Sequence, residues 1–260
     1  MAMHIRWLSL LVFATLSAGC DAPTQSPPVG SEDIAYWSDT ASVDAEMRGS
    51  FNEGTEGVGA EPGRLSSDES CLGESPYASE LIAFAPGADA GFGQDKMPDI
   101  VLGPPAGNGQ GSGALDVVSL GVGGTIIVGF GDRTLMDGPG PDLVVWENAF
   151  AIQGNPDTPY AELGEVSVSS DGETWHTFSC DVTVSDGFDQ GCAGWRIRED
   201  FAPCALLPLD PTLTGGDTFD FADLGVDAIR FVRITDLATG GGPPSAGFDL
   251  DAVGGVHIAK

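Results

Sequence analysis

Positive charge is the scarcest thing in this chain. Ten Lys and Arg stand against 39 Asp and Glu in 260 residues, for a net charge of −29. Such a surface repels phosphate backbones and argues against nucleic acid as a partner. It suits divalent cations or a solvated exterior face. Histidine is also rare, with only His4, His176 and His257. A nucleophile triad needs a His held by an acid and facing Ser or Cys, and there is no G-x-S-x-G elbow to accompany one. His176 reads as a strand-surface residue. The zinc-protease motif and the EF-hand loop are both missing. Gly121-Val122-Gly123-Gly124 is followed by neither the Lys nor the helix of a phosphate cradle. Long apolar runs are lacking too, since Trp7 to Leu16 is too short to span a bilayer as a mature helix.

What is present at the N-terminus is a targeting pattern. Residues 1–19 read as a lipoprotein signal peptide, with Ser17-Ala18-Gly19-Cys20 as the processing site and Cys20 as the lipid carrier. Contact with a membrane is then expected through that lipid alone, on an exported protein held at the outer membrane or cell surface. Residues 20–72 are rich in Ser, Gly, Pro and acids without a sustained period, as in an acidic flexible linker. Residues 73–260 are left as the folded domain. Four further cysteines, Cys71, Cys180, Cys192 and Cys204, make an even count in an exported chain and imply two disulfides. Cys180 and Cys192 flank a polar loop and are the preferred pair, leaving Cys71 with Cys204. Their spacing does not suit zinc.

Glycine (38) and proline (18) punctuate short apolar runs, a texture of strands and turns. Strands are expected at Leu81–Phe84, Ala114–Leu120, Thr125–Phe130, Leu143–Trp146, Glu165–Ser169, Thr174–Phe178, Ala228–Thr235 and Phe248–Ile258. The continuous Leu143–Trp146 run fits a strand covered on both faces. Ser170-Asp171-Gly172 is a hairpin signal. The fold class is all-β, a β-sandwich of the jelly-roll kind. Asp217, Asp220 and Asp223 recur every three residues like a metal loop, but a helical turn capped by Asp220 and ended by Gly225 explains them better.

Carboxylates grouped with amides suit a hard cation, because Ca²⁺ takes six to eight oxygen ligands. In "DGPGPDLVVWENAF" Asp142 and Glu147 bracket a strand, and Asp249 and Asp251 sit at i and i+2 on the last strand, where a regular pleat puts them on one face. One structural Ca²⁺ is expected from Asp142, Glu147, Asp249 and Asp251. Five residues of extended chain separate Asp142 from Glu147 by up to about 17 Å, so a straight strand lets only one of them join the others. The competing assignment pairs Asp249 or Asp251 with Arg230 or Arg233. Aromatic planes are the usual tool for stacking on the C–H faces of sugar rings. Trp146 and Trp175 read as core, whereas Trp195, in a loop region after Cys192-Ala193-Gly194, and Tyr160, beside the Asn155–Pro159 loop, are the candidate ligand-binding residues.

Two stretches resemble discoidin-type domains. These are Val166-Ser167-Val168-Ser169-Ser170-Asp171-Gly172-Glu173-Thr174-Trp175 and Ile229-Arg230-Phe231-Val232-Arg233-Ile234, and the resemblance implies a galactose-binding-like jelly roll. More closely, "FGQDKMPDIVLGPP", "DVVSLGVGGTIIVGF", "DGPGPDLVVWENAF", "GGDTFDFADLG" and "GFDLDAVGGV", in that order, resemble a family of exported bacterial cell-surface proteins, some lipoproteins and some with C-terminal sorting tails. No such tail follows the last strand, so the resemblance implies anchoring through Cys20. The expected role is a non-catalytic binding or adhesion module for a glycan or other surface polymer. The alternatives are a polysaccharide hydrolase and an envelope component without a small ligand.

Overall fold

The computed structural model describes residues 75–106, 113–183, 191–199 and 209–260, and only the backbone of residues 156–158. The expected signal peptide, the linker, Cys20, Cys71 and Cys204 lie outside the described residues. The strands are β1 Glu80–Ala85, β2 Val118–Ser119, β3 Thr125–Gly129, β4 Thr134–Met136, β5 Leu143–Glu147, β6 Phe150–Ile152 and β7 Asn155–Tyr160. They continue with β8 Gly164–Ser169, β9 His176–Thr177, β10 Asp217–Phe219, β11 Ala228–Ile229, β12 Phe231–Asp236, β13 Asp249–Gly255 and β14 Ile258–Ala259. Among the described residues the single α-helix is one turn, Pro211–Thr214.

Two antiparallel sheets form the sandwich. One runs β1-β3-β12-β8-β9 and the other β10-β5-β13-β2, with a smaller β11-β4-β14 sheet and a β6–β7 pair at the periphery. In the five-stranded sheet the central strand β12 alternates strictly and β3 nearly so, whereas β8 also buries Ser167 and Ser169. Ile126, Val128, Val166, Val168, Val232 and Ile234 are fully buried, while Thr125, Ile127, Glu165 and Arg233 between them are only half-buried. That is the period-2 signature of a sheet with one covered face. These side chains meet Val118, Leu143, Val145, Phe219, Leu250 and Val253 of the second sheet in one core.

β5 is buried along its whole length, as its unbroken apolar run predicts. Leu143 and Val145 face the inter-sheet core, and Val144 and Trp146 face a second cluster with Tyr77, Leu209 and Ala252. Trp146 is buried as predicted, and truncating so large a buried ring costs about 3–5 kcal/mol. The indole has room because Gly254 lies beneath it, where an added Cβ would stand 2.9 Å from the ring. Trp175 differs from the core assignment. It is half-exposed, with the Arg233 guanidinium 4.5 Å above its ring.

The turn chemistry behaves as its residues dictate. Asp171 accepts from the backbone N–H groups of Glu173 (2.8 Å) and Thr174 (2.7 Å), Gly172 takes φ 78°, and β8 pairs with β9. Those bonds hold the exposed Asp171 carboxyl down at about 2. Asp220 caps a short 3-10 turn through Ala222 N–H at 2.9 Å, and Gly225 ends it in the left-handed region. One connection was not foreseen. Gly121–Gly124 does not join neighbouring strands but carries the chain from β2 in one sheet to β3 in the other. Ala114–Leu120 contributes only the two residues of β2 to a strand.

The Cys180–Cys192 disulfide is present, closing a separation of 12 residues. A disulfide fits an oxidising compartment and therefore an exported protein. No helix among the described residues is long and apolar enough to cross a membrane.

Candidate functional site

Asp142 immediately precedes β5 and Glu147 ends it, so the two acids lie at opposite ends of the strand. At the N-terminal end Asp142 is fully buried. It accepts from Gly138 N–H and Phe221 N–H, both at 2.8 Å, with His257 Nε2 at 3.7 Å. Its nearest acids are Asp137 and Asp220. At the C-terminal end Glu147 meets β13, where it pairs across the ladder with Leu250. Carboxylate oxygens of Glu147, Glu162 and Asp249 there lie within 4.8 Å of one another, and all three residues are buried.

Asp251 is not one of that group. The register of β13 against β5 slips between Leu250 and Ala252, so the regular alternation that would align Asp249 with Asp251 is broken by a bulge. The Asp251 carboxylate accepts from Ala106 N–H at 2.9 Å. The assignment of these acids to arginine partners is not what forms. Arg230 donates to the Gly131 carbonyl at 2.7 Å, and Arg233 donates to Ser167 Oγ at 3.2 Å.

Glu162 is the residue that sequence patterns missed. It stands alone in Tyr160-Ala161-Glu162-Leu163, a connection between β7 and β8 with no periodicity. Its position is set by its neighbour Leu163, whose N–H donates to Thr239 Oγ1 at 2.6 Å and whose carbonyl accepts from Leu237 N–H at 3.0 Å. Gly240 and Gly241 then pass directly over the Glu162 carboxylate. Gly241 has φ 77°, and a Cβ there would overlap Glu162 Oε1. The Gly240-Gly241-Gly242 run was the available signal, since three consecutive glycines mark a close backbone approach.

These elements surround a cavity of about 250 Å³ lined by Glu147, Asn148, Phe150, Tyr160, Glu162, Gly241, Gly242, Ser245 and Asp249. At the same pocket Phe150 and Tyr160 stack with centroids 5.2 Å apart and planes 20° apart. Tyr160 is 39% exposed, and its hydroxyl accepts from Gly241 N–H at 3.2 Å. Asn148 clamps the neighbouring loop, its amide oxygen accepting from Ala114 N–H. Trp195, the other aromatic candidate, does not line this pocket. It is half-buried, and its backbone N–H donates to Asp217 at 2.9 Å.

The electrostatics of the pocket are one-sided. Burial pushes the Glu147 carboxyl well above its ordinary range, and the nearby charges of Asp249, Glu162 and Asp217 push it further the same way. Burial and Asp249 raise Glu162 to about 8. Burial raises Asp249 to about 6, against the opposing hydrogen bonds from Ser119 and Asn148. Other buried acids are differently served. Asp236 accepts three backbone N–H groups, from Gly123, Ala238 and Phe248, each at 2.8 Å. Asp217 accepts from Gly194, Trp195 and Arg196. Asp142, Asp217 and Asp236 thus tie loops to the sandwich, whereas Glu147 Oε2 and Glu162 Oε1 are buried with no hydrogen-bond partner.

No protein-family model matches this chain, and no curated protein does. Among solved structures it is similar to one titled "Glycoside hydrolase", at 12% identity and a TM-score of 0.27. That likeness covers 56% of this chain and 22% of the other, and at such a score it has no bearing on function.

Proposed function

We propose that this chain is a non-catalytic binding module displayed at the cell surface, that its ligand is a glycan, and that the pocket between β5, β13 and residues 160–162 is its site. The observation that carries this reading is the Phe150–Tyr160 stack beside a recessed set of polar groups. A flat aromatic pair suits the C–H face of a sugar ring, and few but well-placed polar groups then select its hydroxyls. The cavity is smaller than the roughly 300–1,000 Å³ of pockets that engulf a whole small molecule. It therefore fits the edge of one residue of a larger polymer. A hydrolase needs two carboxyls flanking the scissile bond in an accessible cleft. Here the acids are packed on one another at 3–6% exposure.

The test is a glycan array probed with the mature chain carrying Cys20→Ser, followed by Tyr160→Ala. Removing one stacking ring is expected to weaken binding about 10-fold or more, in the range of one aromatic contact. Melting should fall only modestly, because Tyr160 is 39% exposed but does stack on Phe150 and accept from Gly241 N–H. Absence of any glycan binding, or binding indifferent to Tyr160→Ala, would remove this reading. Release of reducing sugar from a polysaccharide would replace it with the hydrolase alternative.

A further inference from the structure

We propose that Glu147, Glu162 and Asp249 form a calcium site on the inner wall of this pocket. The fold supplies its other buried acids with donors. Asp142, Asp217 and Asp236 each receive two or three backbone N–H groups. Glu147 and Glu162, at 4% and 3% exposure, each keep one carboxylate oxygen with no donor at all. A buried charged oxygen without a partner is costly, and three like charges within 4.8 Å compound that cost. Among the described residues no Lys or Arg forms a salt bridge with these three carboxylates, and three of the arginines are engaged elsewhere, Arg133 with Tyr77 and Phe130 carbonyls, Arg230 with Gly131 and Arg233 with Ser167. A small divalent cation supplies the missing positive charge and uses the empty oxygens at once.

The donor set selects the ion. Every donor is oxygen, with no His or Cys among the pocket residues, which disfavours zinc and copper. Calcium tolerates irregular oxygen cages of six to eight ligands, whereas Mg²⁺ demands a tight octahedron. Three carboxylates contribute three to six of those oxygens. They close only the inner side of the pocket. The outward positions are left to water or to paired hydroxyls of a bound sugar, and this last step rests on the glycan reading above.

The test starts from the mature Cys20→Ser chain stripped with a chelator and titrated with CaCl₂ by calorimetry, without any glycan. One site per chain is expected. Glu147→Gln and Glu162→Gln should each weaken it at least 10-fold, while Asp142→Asn and the exposed Glu173→Gln leave it unchanged. Both pocket variants should also melt higher than wild type in chelator, because each removes a carboxyl that the buried site must either protonate or leave repelling its neighbours, and should lose the stabilisation that calcium confers. That double signature separates a ligand from a residue needed only for folding. No calcium binding at 1 mM, or a site lost with Asp142→Asn and retained in Glu162→Gln, overturns the proposal. A glycan that binds equally well in chelator overturns only the ligand-coordination step, and calcium binding without glycan binding overturns the glycan reading while leaving the ion site intact.

Discussion

Replacing Asp236 by Ala is expected to cost the domain about 3–5 kcal/mol. Asp236 is 4% exposed and ends β12. Its Oδ1 accepts Phe248 N–H, and its Oδ2 accepts Gly123 N–H and Ala238 N–H, all at 2.8 Å. One side chain therefore holds the crossover between the sheets, the exit of β12 and the approach to β13. A fully buried donor left without an acceptor costs about 1–3 kcal/mol, and here the Phe248 donor is buried while those of Gly123 and Ala238 are only part-buried. Three donors at the lower end give about 3 kcal/mol, and water entering the vacated space limits the upper end. With a urea slope of about 2 kcal/mol per molar, the unfolding midpoint should fall by about 1.5–2.5 M at unchanged slope. Asp236→Asn keeps one acceptor oxygen and should fall by about half as much. Glu162→Gln in chelator should move the other way, because one of its carboxyl oxygens is buried without a donor and other acids crowd it. A midpoint for Asp236→Ala within about 0.5 M of wild type would refute the hydrogen-bond reasoning. Equal losses for Asp236→Ala and Glu162→Gln would refute the distinction between loop-tying acids and pocket acids.

Three further outcomes follow from the same geometry. In chelator, melting temperature should fall as pH rises from 5 to 8. The folded state holds the Glu162 and Asp249 protons more tightly than the unfolded chain does, so their contribution is complete below the ordinary carboxyl range and is lost through about 6 for Asp249 and about 8 for Glu162. Glu162→Gln should flatten that slope, and a melting temperature that rises over this range in wild type would contradict the assignment. Gly241→Ala should destabilise by about 1–3 kcal/mol and impair calcium binding, because the residue adopts φ 77° and its Cβ would overlap Glu162 Oε1; a calorimetric titration indistinguishable from wild type would count against this. Cys180→Ser with Cys192→Ser should cost about 2–3 kcal/mol in denaturant, from the loop of 12 residues that the bridge closes, and a smaller loss in wild type under reducing conditions than in the double variant would refute that account.

The sheets were readable because one-sided burial writes itself into the chain as alternation, as in Phe231–Asp236, and two-sided burial as an unbroken run, as in Leu143–Trp146. The Asp171-Gly172 turn and the Asp220 cap were equally legible, since their hydrogen bonds close within three residues. The ends of strands were harder. Ala114–Leu120 reads as one strand, yet only Val118 and Ser119 find a ladder partner.

The pocket divides along the same line. Local chemistry identifies Glu147, Asp249 and Tyr160 as residues of interest, and chain geometry alone keeps Asp142 apart from Glu147. What local chemistry does not contain is the backbone supply of donors around each acid. Asp142 and Glu147 look alike in sequence, and only the approach of Gly138 and Phe221 makes the first a fully bonded loop tie. Glu162 enters the site because β7, β8 and the 239–242 loop converge, and Asp251 leaves the Glu147–Glu162–Asp249 group because a bulge breaks the pleat. The sequence by itself determined the central strands, the local turns and a surplus of acids, all properties of neighbours along the chain, but not strands β4, β6, β7 and β10. Which acids are bonded and which are left facing one another was decided only by tertiary structure, because the deciding partners, such as Phe221 for Asp142 and Glu162 for Glu147, lie far apart in the chain and meet through its fold.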